Sequence, residues 1–162
     1  KCIQIEPKNP VPYFKAGKIF KYLKMTGYAE QFLRYAAYAD GKNSEYFSAL
    51  GDVYLDQSNY KNASGCFDTA ALLGSRDIIL YIANGNLKYT KLNNKIGALK
   101  DFNIALTIDP LNIEALTNRG FYYFEIADYN AALADFLAVK KIDPTNEKNI
   151  QYIEACKDKI KK

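Results

Sequence analysis

The Ile-Asp-Pro tripeptide that ends at Pro110 recurs at Pro144, and the interval between the two constrains the chain more than any other feature. Gly120 follows Pro110 by ten residues, and Gly17 follows Pro7 by the same ten. Extended outward, the interval lays down four units that start at Pro10, Ser44, Ile79 and Ile113, the second one residue longer than the rest. Each unit holds two stretches in which apolar residues recur at three- and four-residue spacing, which is the period of an amphipathic helix. Short polar dipeptides separate the stretches: Thr26-Gly27, Ser58-Asn59, Asn93-Asn94 and Ala127-Asp128. In the first unit Gly27 falls on the helix start that the frame implies, so the turn there is expected to be displaced by two or three residues. A repeat of this length is one supersecondary unit that buries its apolar face only against its neighbours.

The small and aromatic positions recur in register. The second unit reads Phe47, Leu50-Gly51, Tyr54, then Ala63, Phe67 and Ala70. The fourth reads Leu116, Arg119-Gly120, Tyr123, then Ala132, Phe136, Val139 and Pro144. The third is aligned as Ile82, Gly85-Asn86, Tyr89, then Ala98, Phe102, Ala105 and Pro110, and the first as Tyr13, Ala16-Gly17, Phe20, then Ala29, Leu33 and Ala36. This pattern resembles the tetratricopeptide repeat family, although the chain has no Trp for the usual first aromatic position. The resemblance implies an all-α fold, a right-handed α-solenoid of tandem helix-turn-helix repeats. The expected division is 10–43, 44–78, 79–112 and 113–146 for the four repeats. Residues 1–9 read as the tail of a preceding repeat, with Cys2 at the small position and Ile3 and Ile5 at apolar ones, so the protein is expected to continue upstream. Residues 147–162 read as a capping helix with Ile150, Ile153 and Cys156 facing the array and a polar outer face.

Composition narrows the chemistry. The 162 residues include no histidine, which removes Ser-His-Asp and Cys-His nucleophile systems, histidine-metal sites and imidazole proton shuttles. Cys2, Cys66 and Cys156 are scattered without a CxxC spacing, and neither a phosphate-binding glycine loop nor a nucleophile elbow is present. No catalytic residue, cofactor or metal is therefore expected, and the chain reads as a binding protein. No stretch approaches about 18 uninterrupted apolar residues, so membrane insertion is not expected. The scattered cysteines accord with a reducing compartment, which favours a cytoplasmic location; a bacterial periplasm or envelope is the other reading.

In the family, positions 2, 5, 6, 9, 12 and 13 of a repeat face a concave groove, and carrying them over implies a binding surface. The carboxylate clamp of the chaperone co-factors is absent, since the fifth positions are Phe14, Ser48, Ala83 and Thr117. Asn84 and Asn118 share the sixth position, similar to the asparagine ladder of the O-linked GlcNAc transferase repeats; an amide can both donate to and accept from a peptide backbone. The equivalents Lys15 and Ala49 break that ladder, and a solvated or cap-bonded Asn is the competing reading. Leu87, Phe121 and Phe124 are large apolar groups that either line the groove or pack against a neighbouring helix. Lys18 belongs to a ridge with Lys15, Lys21 and Lys24 on the first helix. Net charge is +5 over residues 1–43 and −3 over residues 44–78. Asp52 and Asp56 interrupt the basic stripe that nucleic-acid binding would need, so no nucleic acid is expected.

The expected function is a non-catalytic protein-protein interaction scaffold that takes a protein or peptide ligand through Lys18, Asn84, Leu87, Asn118, Phe121 and Phe124. The competing readings are a substrate-presenting module of a larger enzyme and a self-associating structural array.

Overall fold

The computed structural model describes residues 9–161. Among them are nine helices and no strand: α1 (Pro10–Tyr22), α2 (Thr26–Ala39), α3 (Ser44–Asp56), α4 (Tyr60–Leu72), α5 (Ile78–Thr90), α6 (Lys95–Ile108), α7 (Ile113–Glu125), α8 (Tyr129–Ile142) and α9 (Glu147–Ile160). Among the described residues the fold is all-α, of tandem helix-turn-helix pairs. The tail assigned to a preceding repeat, with Cys2, Ile3 and Ile5, lies outside the described residues apart from Asn9. No helix among the described residues is long and apolar enough to cross a membrane.

The helix starts follow local chemistry. Asn9, Asn43, Asn59, Asn94, Asn112, Asp128 and Asn146 each accept a backbone N–H of the first turn, so one unpaired donor is satisfied at each start. Met25, which precedes α2, offers no such oxygen. The second helices end at Asp40, Asp109 and Asp143, whose carboxylates accept from the backbone two residues on, at 3.1 Å each. The turn before α2 is not displaced: it spans residues 23–25, and Gly27 is the second residue of the helix.

The chain divides into two compact units, Lys1–Leu80 and Tyr81–Lys162. In the first, α1 pairs with α2 and α3 with α4, around buried Leu33, Val53, Phe67 and the alanines Ala29, Ala36, Ala63 and Ala70. In the second, α7 packs on α6 and α8, and α9 closes against α8. Its centre is Phe102, Phe136, Val139, Ile153 and Cys156, and Ile150 is half-buried beside them.

One contact recurs within every pair. A Cβ built on Gly17 would sit 2.6 Å from Leu33 Cγ, on Gly51 2.6 Å from Phe67 Cε1, on Gly85 2.5 Å from Phe102 Cε1, and on Gly120 2.7 Å from Phe136 Cε1. Those distances are below any real carbon contact, so glycine is what lets the two helices approach.

The same contact corrects the alignment of the third pair. Gly85 and Phe102 stand one residue further apart in the chain than the glycine and its partner do in the other three pairs. The difference lies where α5 ends at Thr90 and α6 begins at Lys95, because four residues fill that turn, against three in the others. Each turn reverses the chain through one residue with positive φ: Lys24, Ser58, Asn93 and Ala127. The insertion lies in the turn, so α5 starts at Ile78 and every residue on it moves by one position relative to the frame that starts at Ile79. Gly85, not Asn86, is the equivalent of Gly17, Gly51 and Gly120. The residue three places later, Phe20, Tyr54 or Tyr123 elsewhere, is Lys88 here.

Candidate functional site

The first unit presents a cleft of about 660 Å³ between α1 and α3. Its floor is Phe14, Ser48 and Ala49. Lys18 and Lys21 of α1 line one side, with Lys24, which lies in the turn after α1 and not on the helix as the sequence suggested; Glu45, Asp52 and Asp56 of α3, with Asp77, line the other. A three-residue step brings Lys18 and Lys21 to one face of α1, and steps of seven and four residues bring Glu45, Asp52 and Asp56 to one face of α3. Lys21 Nζ donates to Asp52 Oδ2 at 2.9 Å, and Lys18 Nζ stands 3.8 Å from Glu45 Oε1. Lys18 also lies over the Phe14 ring, 5.1 Å from its centroid, so this expected residue does face the cleft.

Below the cleft, the helices are locked by contacts that leave its walls free. Phe14 meets Tyr46 at 4.9 Å between ring centroids and joins the buried cluster of Ala36, Ala37 and Tyr46. Tyr54 donates to Glu30 at 3.2 Å, and burial together with that carboxylate raises the phenol's pKa.

In the second unit, Asn84 and Leu87 do not line a surface. They are 1% and 4% exposed, because the insertion turns both toward the interior. The pairing of Asn84 with Asn118 disappears for the same reason: Asn118 stands two residues before its glycine, and the residue two before Gly85 is Ala83. Asn118 is half-buried, and its Nδ2 is buried with no acceptor among the described residues. The outward side of α5 carries Asn86 and Tyr89 instead. Asn86 Nδ2 donates to Glu114 Oε1 at 3.3 Å, and Tyr89 donates to Glu125, which Lys95 also binds. Those two hydrogen bonds hold the Glu125 carboxyl below its ordinary range, Lys95 most strongly.

Phe121 and Phe124 are both half-buried and packed on the cluster of Ala132, Phe136, Ile153 and Cys156. Phe121 lies 5.5 Å from Phe136 and 4.7 Å from Tyr152 between centroids, and Phe124 lies 5.4 Å from Tyr129 and 5.7 Å from Tyr152. Lys148 Nζ sits 5.6 Å from the Phe121 centroid. Thr117, Phe121, Asn149 and Tyr152 enclose a small hollow of about 90 Å³. Arg119 crosses behind, donating twice to buried Asp135, at 2.9 and 2.7 Å, and once to Asn103 at 2.8 Å. That ion pair ties α7 to α8 and raises the guanidinium's pKa.

Among the described residues, no three His, Cys, Asp or Glu side chains converge as a metal site would require. Burial pushes the Cys66 thiol up to about 11, and burial also raises that of Cys156, so neither is an activated thiolate. What the arrangement can do is hold a segment of another protein: a partly apolar floor, walls of opposite charge and an open side.

No family model matches the chain. It is 27% identical over 134 residues to the Hsp70-Hsp90 organizing protein of Triticum aestivum, a match over 83% of this chain and 23% of that protein. It is 32% identical over 79 residues to FK506-binding protein 59 of Drosophila melanogaster, covering 49% of this chain and 18% of that one. The chain thus spans about a quarter of the organizing protein it matches, or less. Among solved structures, YrrB, a TPR protein with an unusual peptide-binding site, superposes with a TM-score of 0.84 at 21% identity over 93% of this chain and 77% of that one. MamA gives 0.84 at 17% identity, covering 93% and 81%. The first TPR of Spaghetti (RPAP3), bound to the HSP90 peptide SRMEEVD, gives 0.65 at 18% identity, covering 76% and 97%.

Proposed function

We propose, from the premise that these helix pairs are tetratricopeptide repeats, that the chain is a non-catalytic scaffold that binds a protein or peptide segment along the faces of its first helices. The observation that carries this reading is the cleft between α1 and α3, whose walls of ionisable side chains surround a partly apolar floor at Phe14 and Ala49. Such a surface satisfies a peptide's charges at its edges and covers its apolar residues at the centre. In this reading the repeats occupy 10–43, 44–77, 78–112 and 113–146, the boundary moving back by one residue because α5 starts at Ile78, and α9 packs on the last pair. Lys18 contacts the ligand directly, while Asn118 and the open edges of Phe121 and Phe124 form a second contact area in the other unit.

The similarity to Hsp70-Hsp90 organizing proteins and to a structure holding an HSP90 peptide supports peptide binding as the class of activity. It does not extend to an acidic C-terminal tail, because Phe14, Ser48, Ile82 (in place of Ala83, once the third pair is realigned) and Thr117 stand where a clamp would need its lysine and asparagine.

The test is selection of peptides from a displayed library on the immobilised chain, followed by binding to two variants. Ala49→Arg fills the cleft from its half-buried floor, and Tyr38→Ala alters the exposed outer side of α2. Selected peptides that lose Ala49→Arg and keep Tyr38→Ala support the reading. The opposite pattern overturns it.

A further inference from the structure

The two walls of the first unit's cleft carry opposite charge in matching order. Lys18 faces Glu45 and Lys21 faces Asp52, and beyond them Lys24 and Asp56 are exposed and not joined. Asp77 adds a further carboxylate to the acidic side. We infer that this cleft selects a peptide segment with acidic side chains along one edge and basic side chains along the other, with an apolar residue between them seated on Phe14 and Ala49. The inference rests on the peptide-binding reading above and names the chemistry of the partner.

A uniformly acidic segment is attracted by α1 and repelled by Glu45, Asp52, Asp56 and Asp77, and a uniformly basic one meets the reverse. Only a mixed segment complements both walls, and like-charge juxtaposition is what excludes the others. The existing cross-cleft pairs do not block entry. Lys18 and Glu45 are both more than half exposed and 3.8 Å apart, and exposed pairs of this kind contribute little, so ligand charges can replace that pair. The tighter Lys21–Asp52 pair, at 2.9 Å, keeps unused acceptor and donor sites toward the cleft. Helices α1 and α3 follow the same direction in their pairs, so the charged rows are parallel, and an extended segment in the polyproline II conformation, with three residues per turn, can aim side chains at each wall and at the floor.

The experiment uses three labelled synthetic peptides of equal length with the same apolar anchor: one with glutamates on one edge and lysines on the other, one all-glutamate and one all-lysine. Fluorescence anisotropy measures each against the full chain. The mixed peptide is expected to bind about tenfold or more tighter than either single-sign peptide, with the gap shrinking as salt screens it. A second comparison measures the same three peptides on Lys21→Asp/Asp52→Lys, which keeps an ion pair while interrupting both charged rows. The variant is expected to lose most of the preference for the mixed peptide. If that variant fails to fold, Lys18→Glu/Glu45→Lys interrupts the rows at the exposed pair instead, with the same loss of preference expected. Equal binding of all three peptides that Ala49→Arg abolishes would overturn charge selection and leave the peptide-binding reading standing. Preference for the all-glutamate peptide, or binding by none of the three, also overturns the inference.

Discussion

Lys88 Nζ lies 2.9 Å from Asp101 Oδ2, with both side chains more than nine-tenths buried. The lysine occupies the place of Phe20, Tyr54 and Tyr123 in the other pairs, and its carboxylate partner comes from the facing helix α6. A charge put where an aromatic ring usually sits is tolerated because it is paired. Lys88→Met should therefore destabilise the chain by about 3–5 kcal/mol, since it strands a buried carboxylate. Lys88→Met/Asp101→Leu should recover most of that loss. Urea unfolding of the two variants checks the pair; equal midpoints for both would contradict it.

The glycine contacts give a second prediction. Gly120→Leu should cost about 1–3 kcal/mol or more by overpacking, because Phe136 is fully buried and cannot move aside. Gly65→Leu is the control, since a Cβ there meets nothing within 4 Å. A thermal melt in which the two variants fell together would remove the special role of the contact.

These glycines also mark what could be read from sequence. The steps from Gly17 to Gly51 and from Gly51 to Gly85 are equal, and the step from Gly85 to Gly120 is one residue longer. Among their partners Leu33, Phe67, Phe102 and Phe136, the longer step comes earlier, from Phe67 to Phe102. The extra residue therefore lies between Gly85 and Phe102, a conclusion that these spacings alone carry. The alignment through Ile82 and Tyr89 hid it, because both are apolar or aromatic residues one place away from Tyr81 and Lys88. That slip moved Asn84 and Leu87 from interior to groove and concealed Asn86 and Tyr89. Lys18 was legible because α1 has no such insertion before it. Phe121 and Phe124 were not, since half-burial against Tyr152 depends on how α9 docks, and helical periodicity does not encode that.

Met25 supplies a third prediction. It precedes α2 where Asn59, Asn94 and Asp128 cap the equivalent helices, and its side chain accepts no hydrogen bond from the first turn. Met25→Asp should stabilise the chain by about 1 kcal/mol, by accepting a free N–H and by placing negative charge at the helix start. A melting temperature that stayed level or fell would argue against an uncapped terminus.

Cys66 offers a pH-dependent readout. Burial raises its thiol to about 11, so at pH 8 it holds about a hundredfold less thiolate than an unperturbed cysteine. Alkylation followed by peptide mass mapping should be slow at pH 8, rise steadily toward pH 11, and reach the ordinary rate at pH 8 when the chain is unfolded in urea. A fast native rate at pH 8 would mean that the α4 surface opens readily.

The most direct test of the interaction surface is a hydrogen-exchange footprint of the chain with a library-selected peptide bound. The account predicts that added protection falls on α1 and α3, over residues 14–24 and 45–56, together with the segment around Asp77. Protection confined to the outer sides of α2 and α4, with those two segments unchanged, would contradict it.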